Sequence, residues 1–227
     1  FEWYASWDTS EIHYRGPIQF PQNDTVNLSL VRMDCDYVNP APGPTTSGFG
    51  RRWRRMHYGI DLDLETGDQV VAAFEGMVRF AAYNGSYGNL VIVRHPNGLE
   101  TYYAHLSELK VQPGDYLQAG EVLGLGGNTG RSYGSHLHFE MRFLGLPFNP
   151  AHVIDFDSGK PRFECVDLYL KRGYLDCTNG EKFHVVHPGE DLYAIAHKYQ
   201  VDVNQLAELN GLSPNDILPL DLAVRYH

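Results

Sequence analysis

Residues 89–105 read NLVIVRHPNGLETYYAH, and this stretch sets the expected fold of the main part of the chain. Two runs rich in β-branched and aromatic residues, Asn89–His95 and Glu100–His105, flank the short segment Pro96-Asn97-Gly98. Asn-Gly is favoured in two-residue hairpin turns because both residues tolerate positive φ angles. The stretch therefore predicts an antiparallel β-hairpin.

The same pattern of short β-branched runs and glycine turns continues on both sides of this hairpin. No stretch between residues 45 and 155 carries a helical period long enough for a regular helix. We therefore predict a mainly β domain over 45–155, built from an antiparallel, barrel-like sheet. Its further predicted strands are Gln69–Phe74, Gly76–Ala81, Tyr116–Val122 and His136–Phe143.

Three further segments complete the predicted organisation. Residues 1–44 form an N-terminal extension with a strand at Val26–Met33, and they end in a proline-rich connector at 39–44 that is expected to be extended. Residues 156–182 are a linker with two of the three cysteines. Residues 183–227 form a small β-α-α-β module.

Helical spacing and capping residues define this C-terminal module. Leu192, Ile195 and Tyr199 fall on one helical face. Asn204 is the expected N-cap of a second helix, which Gly211 ends. The flanking strands are predicted at Phe183–Val186 and Leu220–Val224.

Charge and hydropathy narrow the possible partners. The 227 residues carry a formal net charge of −10, which argues against general nucleic-acid binding and against binding to an anionic membrane surface. No apolar run is long enough to span a bilayer. The cysteines are Cys35, Cys165 and Cys177, without a CxxC pair. Cys165 and Cys177 would close a short loop in an oxidising compartment, and their pairing is left open.

Histidines are the main candidates for metal ligands and for proton-transfer groups in this sequence. His136 and His138 lie two apart on a predicted strand, so both imidazoles point to one face. His57 and Asp61 lie four apart around Gly59, in a loop that can aim both inward. Each of these features alone is more often structural or exposed to solvent, and the same holds for His105. Taken together, they provide enough donors for a metal site with an open position, plus groups that move protons.

The donor types favour zinc, with manganese or cobalt left open. No HExxH motif is present, so histidine would have to do the proton work. Glu140 lies two residues beyond His138 on the same predicted face. It is expected either to accept an N–H from a histidine and fix its tautomer, or to pair with an arginine.

Five motifs in order give the β domain a specific resemblance. They are Thr46-Ser47-Gly48-Phe49-Gly50-Arg51, His57-x-Gly59-x-Asp61, Tyr103-Ala104-His105-Leu106, Gly127-x-Thr129-Gly130 and His136-Leu137-His138-Phe139-Glu140. This pattern resembles the lysostaphin/LytM-type zinc metallopeptidases of bacterial cell walls over about residues 40–155. The resemblance implies one Zn²⁺ held by His57, Asp61 and His138. It also implies that His105 and His136 are the catalytic pair.

Residues 183–196 and Asn210-Gly211-Leu212 resemble a LysM domain. That resemblance implies binding of N-acetylglucosamine-containing glycans such as peptidoglycan. The expected contact residues are Gly189, Glu190, Asp191, Leu192, Asn210 and Gly211.

The resulting prediction is a zinc-dependent endopeptidase that cleaves peptide stems or cross-bridges of bacterial peptidoglycan and is targeted to the wall by its LysM module. The expected location is secreted, periplasmic or in the cell envelope, with a lipid anchor at a removed N-terminus left open. The main alternative is a catalytically silent wall-binding regulator of another hydrolase. Two others are a pure glycan-binding module and a latent enzyme with its first forty residues across the groove.

Overall fold

The fold is seen in a computed structural model. It describes residues 4, 7–14, 16, 26–29, 37–52, 55–162, 165–171, 174–178, 183–220 and 222–226. Two compact units are present, one within residues 1–18 and 29–164 and the other within 19–28 and 165–227. Within the described ranges, no helix has the length and hydrophobicity needed to cross a bilayer.

Strands dominate the first unit. They are β2 (Thr45–Ser47), β3 (Gly50–Arg52), β4 (Arg55–His57), β5 (Ile60–Asp63), β6 (Gln69–Val71), β7 (Gly76–Asn84), β8 (Gly88–Arg94), β9 (Leu99–Leu106), β10 (Glu108–Leu109), β11 (Tyr116–Leu117), β12 (Val122–Leu125), β13 (His136–Phe143), β14 (Leu146–Phe148), β15 (Ile154–Asp155) and β16 (Lys160–Pro161), and β1 (Val26–Ser29) precedes them in the chain. A 3₁₀ turn (Gly85–Tyr87) and the short helix α1 (Pro150–Val153) complete the unit.

The main sheet has eight strands in the order β11-β7-β8-β9-β13-β5-β2, with β14 paired to β13. Its pairings are antiparallel throughout. Strand β9 is buried along its whole length, and β13 is buried at every residue after His136. Both faces of the sheet are therefore covered at these central strands, although they carry buried charged residues such as Glu100, Glu140 and Arg142. The predicted antiparallel β domain is confirmed.

The predicted hairpin is present. Strands β8 and β9 pair with Arg94 opposite Glu100, and the His95 amide donates to the Leu99 carbonyl at 2.8 Å. Gly98 takes φ = +88°, a conformation that the turn requires and that glycine adopts without strain.

Three predicted strands differ from those observed. The expected strand Gln69–Phe74 ends at Val71, because residues 73–75 form a bend. Of the expected strand Val26–Met33, residues 26–29 are a strand and residues 30–33 lie outside the described ranges. The expected strand Tyr116–Val122 is wrong, because residues 118–121 form a turn between β11 and β12. Gly120 takes φ = +86° there, and the Glu121 carboxylate accepts from the main-chain N–H of Gln118 at 2.8 Å. The last strand is β20 (Ala223–Arg225) rather than Leu220–Val224, because its pairing begins at Ala223.

A buried arginine anchors the N-terminal segment to the first unit. The Arg79 guanidinium donates to the main-chain carbonyls of Asp8 (2.9 Å), Glu11 (2.6 Å) and Ile12 (3.0 Å). The Glu100 carboxylate, itself fully buried, accepts from Arg79 at 2.6 Å and also pairs with Arg94 at 2.8 Å. Residues 8–12 are thus held by hydrogen bonds from a buried, charged guanidinium to their main-chain carbonyls.

The second unit contains β1, β17 (Cys165–Lys171), β18 (Tyr174–Thr178), β19 (Phe183–Val185), β20, and the helices α2 (Leu192–Tyr199) and α3 (Val203–Leu209). The segment predicted as a linker carries the hairpin β17–β18, which joins β1 in a three-stranded sheet. The side chains of the three cysteines lie outside the described ones, so their pairing stays a prediction.

The β-α-α-β order of residues 183–227 is confirmed. Leu192 and Ile195 of α2 pack with Leu206 of α3 and Val224 of β20 in one apolar cluster. The predicted N-cap of the second helix, Asn204, is wrong, because the helix begins at Val203. The N-cap is Asp202, whose carboxylate accepts from the main-chain N–H groups of Asn204 and Gln205.

Candidate metal centre

Pairing of β13 with β5 brings the predicted residues together. His138 lies directly opposite Asp61, and His136 lies opposite Asp63. Since side chains alternate along a strand, His136 and His138 project to the same face. His57 ends β4, and the short link through Gly59 returns the chain to β5.

Three donor atoms converge on one point. His57 Nε2 lies 3.0 Å from Asp61 Oδ1, His138 Nδ1 lies 2.9 Å from the same oxygen, and the two nitrogens are 3.0 Å apart. Asp61 and His138 are buried, and His57 is half-buried. Donor atoms roughly 3.3 Å apart are what tetrahedral zinc with bonds of about 2.0–2.1 Å requires. The residues present therefore fit such an ion.

The outer nitrogens of both imidazoles have acceptors. His57 Nδ1 lies 2.7 Å from the Gly48 carbonyl, and His138 Nε2 lies 2.9 Å from Glu140 Oε1. A proton placed on each of these nitrogens leaves the inner nitrogen with a free lone pair. That is the tautomer a metal-binding histidine needs.

Glu140 makes both of the contacts considered for it. Besides its contact with His138, it accepts from Arg142 Nε at 2.5 Å and from the Tyr87 hydroxyl at 2.9 Å. Burial alone would raise the pKa of Glu140, but Arg142 and His138 outweigh burial and hold that pKa well below its usual range. The carboxylate is therefore anionic at neutral pH and orients His138.

His105 and His136 face each other at the rim of the donor group, with ring centroids 4.9 Å apart. His105 Nδ1 lies 2.8 Å from the Thr129 carbonyl, and His136 Nδ1 lies 2.9 Å from the Gly134 carbonyl. Each ring thus has its Nε2 left as an acceptor when Nδ1 is protonated. Burial lowers the pKa of His105 to about 4, so this imidazole is neutral near pH 7.

A bulge gives His105 its direction. Ala104 lies opposite His138, so simple alternation would turn His105 to the other face of the sheet. Instead, the register between β8 and β9 shifts between Asn89 and Val91, and His105 takes φ = +64°. Bulges re-aim side chains in this way next to functional sites, and a positive φ at a non-glycine residue stores strain.

Arg52 is a cation beside the donor group that sequence reasoning did not assign to it. Its Nη2 lies 3.1 Å from Asp61 Oδ2 and 2.5 Å from His57 Nδ1. The side chain is 41% exposed, so solvent screens its pairing with Asp61. Arg52 is the last residue of β3, and its proximity to Asp61 depends on the pairing of β3 with β4.

Tyr87 was missed as a partner of Glu140, whereas Arg142 is the arginine partner that had been considered without a residue number. Arg142 had a signal, because it lies two residues beyond Glu140 on the same strand face. Tyr87 had none, since it lies in the 3₁₀ turn Gly85–Tyr87, more than fifty residues from Glu140 in the chain.

Gly59 allows the strands to approach closely. A Cβ atom at this position would lie 2.3 Å from the Phe139 carbonyl oxygen and 3.0 Å from His138 Cε1. Any larger residue there would push the His57 strand away from His138. The glycine in the His57-x-Gly59-x-Asp61 motif therefore has a packing reason.

The N-terminal segment packs on the sheet face that carries the donors. Ile12 contacts Tyr102 and Ala104, and the Tyr102 hydroxyl donates to the Ile12 carbonyl at 2.5 Å. No hydrogen bond or ion pair joins the described residues of this segment to the donor group. Residues 17–25 and 30–36 lie outside the described ranges, and the latent-enzyme alternative stays a prediction.

The six residues predicted to bind glycan fall in two loops of the second unit. Leu192 is fully buried in the apolar cluster, and the Asp191 carboxylate caps α2 by accepting from the Ala194 amide. The Asn210 side chain donates to the Leu206 and Arg225 carbonyls. Gly189 and Gly211 take positive φ angles in turns. These contacts stabilise the loops, and glycan binding stays a prediction.

The donor atoms of His57, Asp61 and His138 converge as they do in a metal-binding site. The fold and this group together place the chain among antiparallel β-sheet proteins with a candidate metal centre. Residues 55–150 match Peptidase family M23, and residues 184–220 match the LysM domain. The chain thus contains a Peptidase family M23 domain followed by a LysM domain.

Curated relatives share the first of these regions. The DD-carboxypeptidase/endopeptidase Mpg of Neisseria meningitidis is 48% identical over 114 residues, which are 48% of this chain and 26% of Mpg. The peptidoglycan DD-endopeptidase ShyA of Vibrio cholerae is 36% identical over 121 residues, covering 53% of this chain and 28% of ShyA. The chain spans about a quarter of the length of these relatives.

Solved structures are similar to the same part of the chain. A zinc-containing peptidase from Vibrio cholerae is 30% identical, with a TM-score of 0.47, over 50% of this chain and 39% of that one. The catalytic domain of lysostaphin from Staphylococcus simulans is 27% identical, with a TM-score of 0.43, over 52% of this chain and 88% of that domain.

Proposed function

We propose that this protein is a zinc-dependent endopeptidase that cleaves peptide bonds in bacterial peptidoglycan. The observation that supports it most directly is the convergence of His57 Nε2, Asp61 Oδ1 and His138 Nδ1 within 3.0 Å of one another. The similarity to the DD-carboxypeptidase/endopeptidase Mpg and to the peptidoglycan DD-endopeptidase ShyA supports the substrate class.

His57, Asp61 and His138 would hold one zinc ion, because two imidazoles and one carboxylate suit zinc and leave a coordination position open. When bound, zinc supplies Lewis-acid chemistry, polarising a carbonyl oxygen and acidifying water. Glu140 keeps the His138 ring in the binding tautomer by accepting its Nε2 proton.

His105 and His136 would act as the general base and general acid of the reaction. Both have Nδ1 within hydrogen-bonding distance of a main-chain carbonyl, so each offers Nε2 as a base. Because His105 is neutral near pH 7, it can take a proton from the attacking water at Nε2. A protonated His136 or His105 can then donate to the leaving amine nitrogen or stabilise developing negative charge.

The LysM domain would keep the enzyme on its insoluble substrate by binding N-acetylglucosamine-containing glycan through the loops around Gly189–Leu192 and Asn210–Gly211. A second weak contact raises the effective concentration of peptide stems near the metal centre. This requires a location at the bacterial envelope, either secreted or periplasmic. The boundaries between the N-terminal extension, the peptidase domain, the linker and the LysM domain, at residues 44/45, 155/156 and 182/183, are also part of this proposal.

Purified sacculi test the proposal against its main alternative. The active enzyme releases muropeptides with a newly cleaved peptide bond, and His57→Ala abolishes the release. A silent regulator releases none at any zinc loading and instead changes the activity of a partner hydrolase that is added to the assay. Zinc content measured on the same samples separates loss of metal from loss of fold.

A further inference from the structure

A second group of side chains that could bind a metal ion lies at the start of the LysM domain. His184 Nε2 is 2.6 Å from Glu190 Oε2, and His187 Nδ1 is 3.2 Å from the same oxygen. One ligand atom of each residue falls within 4.8 Å of the other two. Two imidazoles and one carboxylate make the same donor set as His57, Asp61 and His138.

The buried member of this group is held in a fixed orientation. His184 is 1% exposed, and its Nδ1 lies 3.0 Å from the Tyr199 hydroxyl. A tyrosine hydroxyl both donates and accepts, so it satisfies Nδ1 in either tautomer. The ring can therefore give its Nε2 proton to Glu190, or release it and present a lone pair, without moving. Metal-binding histidines commonly have such a partner on the second nitrogen.

The turn that carries the donors is held by its own hydrogen bonds. The Glu190 amide donates to the His187 carbonyl at 3.2 Å, and Glu190 Oε2 accepts from the His187 amide at 2.8 Å. Gly189 takes φ = +85°, which closes the turn without strain. The ordering of this turn therefore costs little when a metal binds.

Solvent reaches the group from one side. The His187 side chain is 39% exposed and that of Glu190 is 26% exposed, whereas that of His184 is closed off. All three contacts to Glu190 go to Oε2, and no described residue donates to Oε1. A metal ion thus has an entry path and an additional carboxylate oxygen, with water available to complete its coordination.

We propose that His184, His187 and Glu190 form a second transition-metal site, in the LysM domain. Two imidazole nitrogens exclude calcium and magnesium as the preferred ions and favour zinc. The site has a structural role: the ion ties β19 to the turn 187–190, which precedes α2 and includes Gly189 and Glu190, two of the residues expected to contact glycan. This proposal does not depend on the peptidase activity.

Equilibrium dialysis of the full chain against buffered Zn²⁺, followed by metal analysis of the protein, tests the second site. His187→Ala removes one exposed donor and is expected to keep the fold, which circular dichroism checks. It should bind one zinc equivalent fewer than the wild type. His197→Ala changes an exposed histidine on α2 outside the group and should bind as much as the wild type.

His57→Ala serves as the reference for the first site and should also lose one equivalent, and the double variant His57→Ala/His187→Ala should lose both. As a second readout, zinc should raise the unfolding temperature of the LysM domain in His57→Ala but not in the double variant. Equal zinc binding by His187→Ala and the wild type would overturn the proposal. Equal losses in His187→Ala and His197→Ala would overturn it too, since they would indicate non-specific adsorption to surface histidines.

Discussion

His138 Nε2 lies 2.9 Å from Glu140 Oε1, two residues along the same strand, while the opposite nitrogen of the same ring lies 2.9 Å from Asp61 Oδ1. One imidazole is therefore held between two carboxylates with different tasks. Asp61 sits at the point where the three donors meet, and Glu140 sits behind His138 with Arg142. These two contacts together fix the orientation of the His138 ring.

Replacement of Glu140 by glutamine tests this orienting role. Glutamine keeps a similar shape but loses the negative charge, so we expect zinc affinity to fall about ten- to hundredfold. Competition with a chromogenic chelator measures it. Tyr87→Phe is the matched control, because it removes the other hydrogen bond to Oε1 of the same carboxylate and leaves the charge. A folded Glu140→Gln variant that binds zinc as tightly as the wild type would contradict the assignment.

His105 and His136 are expected to act on protons rather than to hold the metal. His105→Ala and His136→Ala should each slow muropeptide release by about 10²–10⁴-fold. Both should retain the zinc content of the wild type, whereas His57→Ala should lose metal and activity together. Metal analysis and product quantification on the same preparations check this. Loss of zinc in His136→Ala would show that His136 is a ligand instead.

A buried histidine far from the centre predicts acid sensitivity of the fold. Burial lowers the pKa of His95 to about 4, and its ring contacts the Glu75 carbonyl and the Thr101 hydroxyl. An unfolded histidine has a pKa near 6.5, so between pH 6.5 and 4 the unfolded chain binds more protons. The folding free energy contributed by neutral His95 is therefore full above pH 6.5 and is lost as the pH falls through 4, by up to about 3 kcal/mol.

Urea unfolding at several pH values measures this slope. His95→Gln should flatten it, and His152→Gln, an exposed control, should leave it unchanged. Equal slopes for the wild type and His95→Gln would show that other groups cause the acid sensitivity.

Arg79 is expected to hold the N-terminal segment in place. Arg79→Met removes three hydrogen bonds to main-chain carbonyls of residues 8–12 and one partner of the buried Glu100. Because Glu100 keeps its pairing with Arg94, the cost is that of the lost charge-assisted hydrogen bonds, so the first unit should be destabilised by about 1.5–3 kcal/mol. Limited proteolysis should cut residues 8–14 faster than in the wild type. Arg131→Met, at an exposed arginine, is the control, and equal cutting rates in the two variants would argue against the anchor.

Strand alternation predicted the most local part of the site. The spacing of His136, His138 and Glu140 was enough to place them on one face, because period two is a property of any strand. The same rule would have turned His105 away, since its direction comes from a bulge that depends on pairing with β8. The family resemblance, rather than periodicity, is what suggested a catalytic role for His105, and that role stays a prediction.

Contacts between distant parts of the chain could not be read from local patterns. The proximity of Arg52 to Asp61 and of Tyr87 to Glu140 depends on how loops fold over the sheet. The missed turn at 118–121 had a signal in Gly120, but a lone glycine in a strand pattern is ambiguous. Similarly, Asp202 and Asn204 are both good caps, and only the register of α3 decides between them.

The most direct test of the central claim is mass spectrometry of the material released from purified sacculi by zinc-loaded protein, by chelator-stripped protein and by His57→Ala. The account predicts fragments with intact sugars and a newly cleaved peptide bond from the zinc-loaded protein alone, with release restored when zinc is added back to the stripped sample. The same cleaved fragments from His57→Ala, in equal yield, would contradict it.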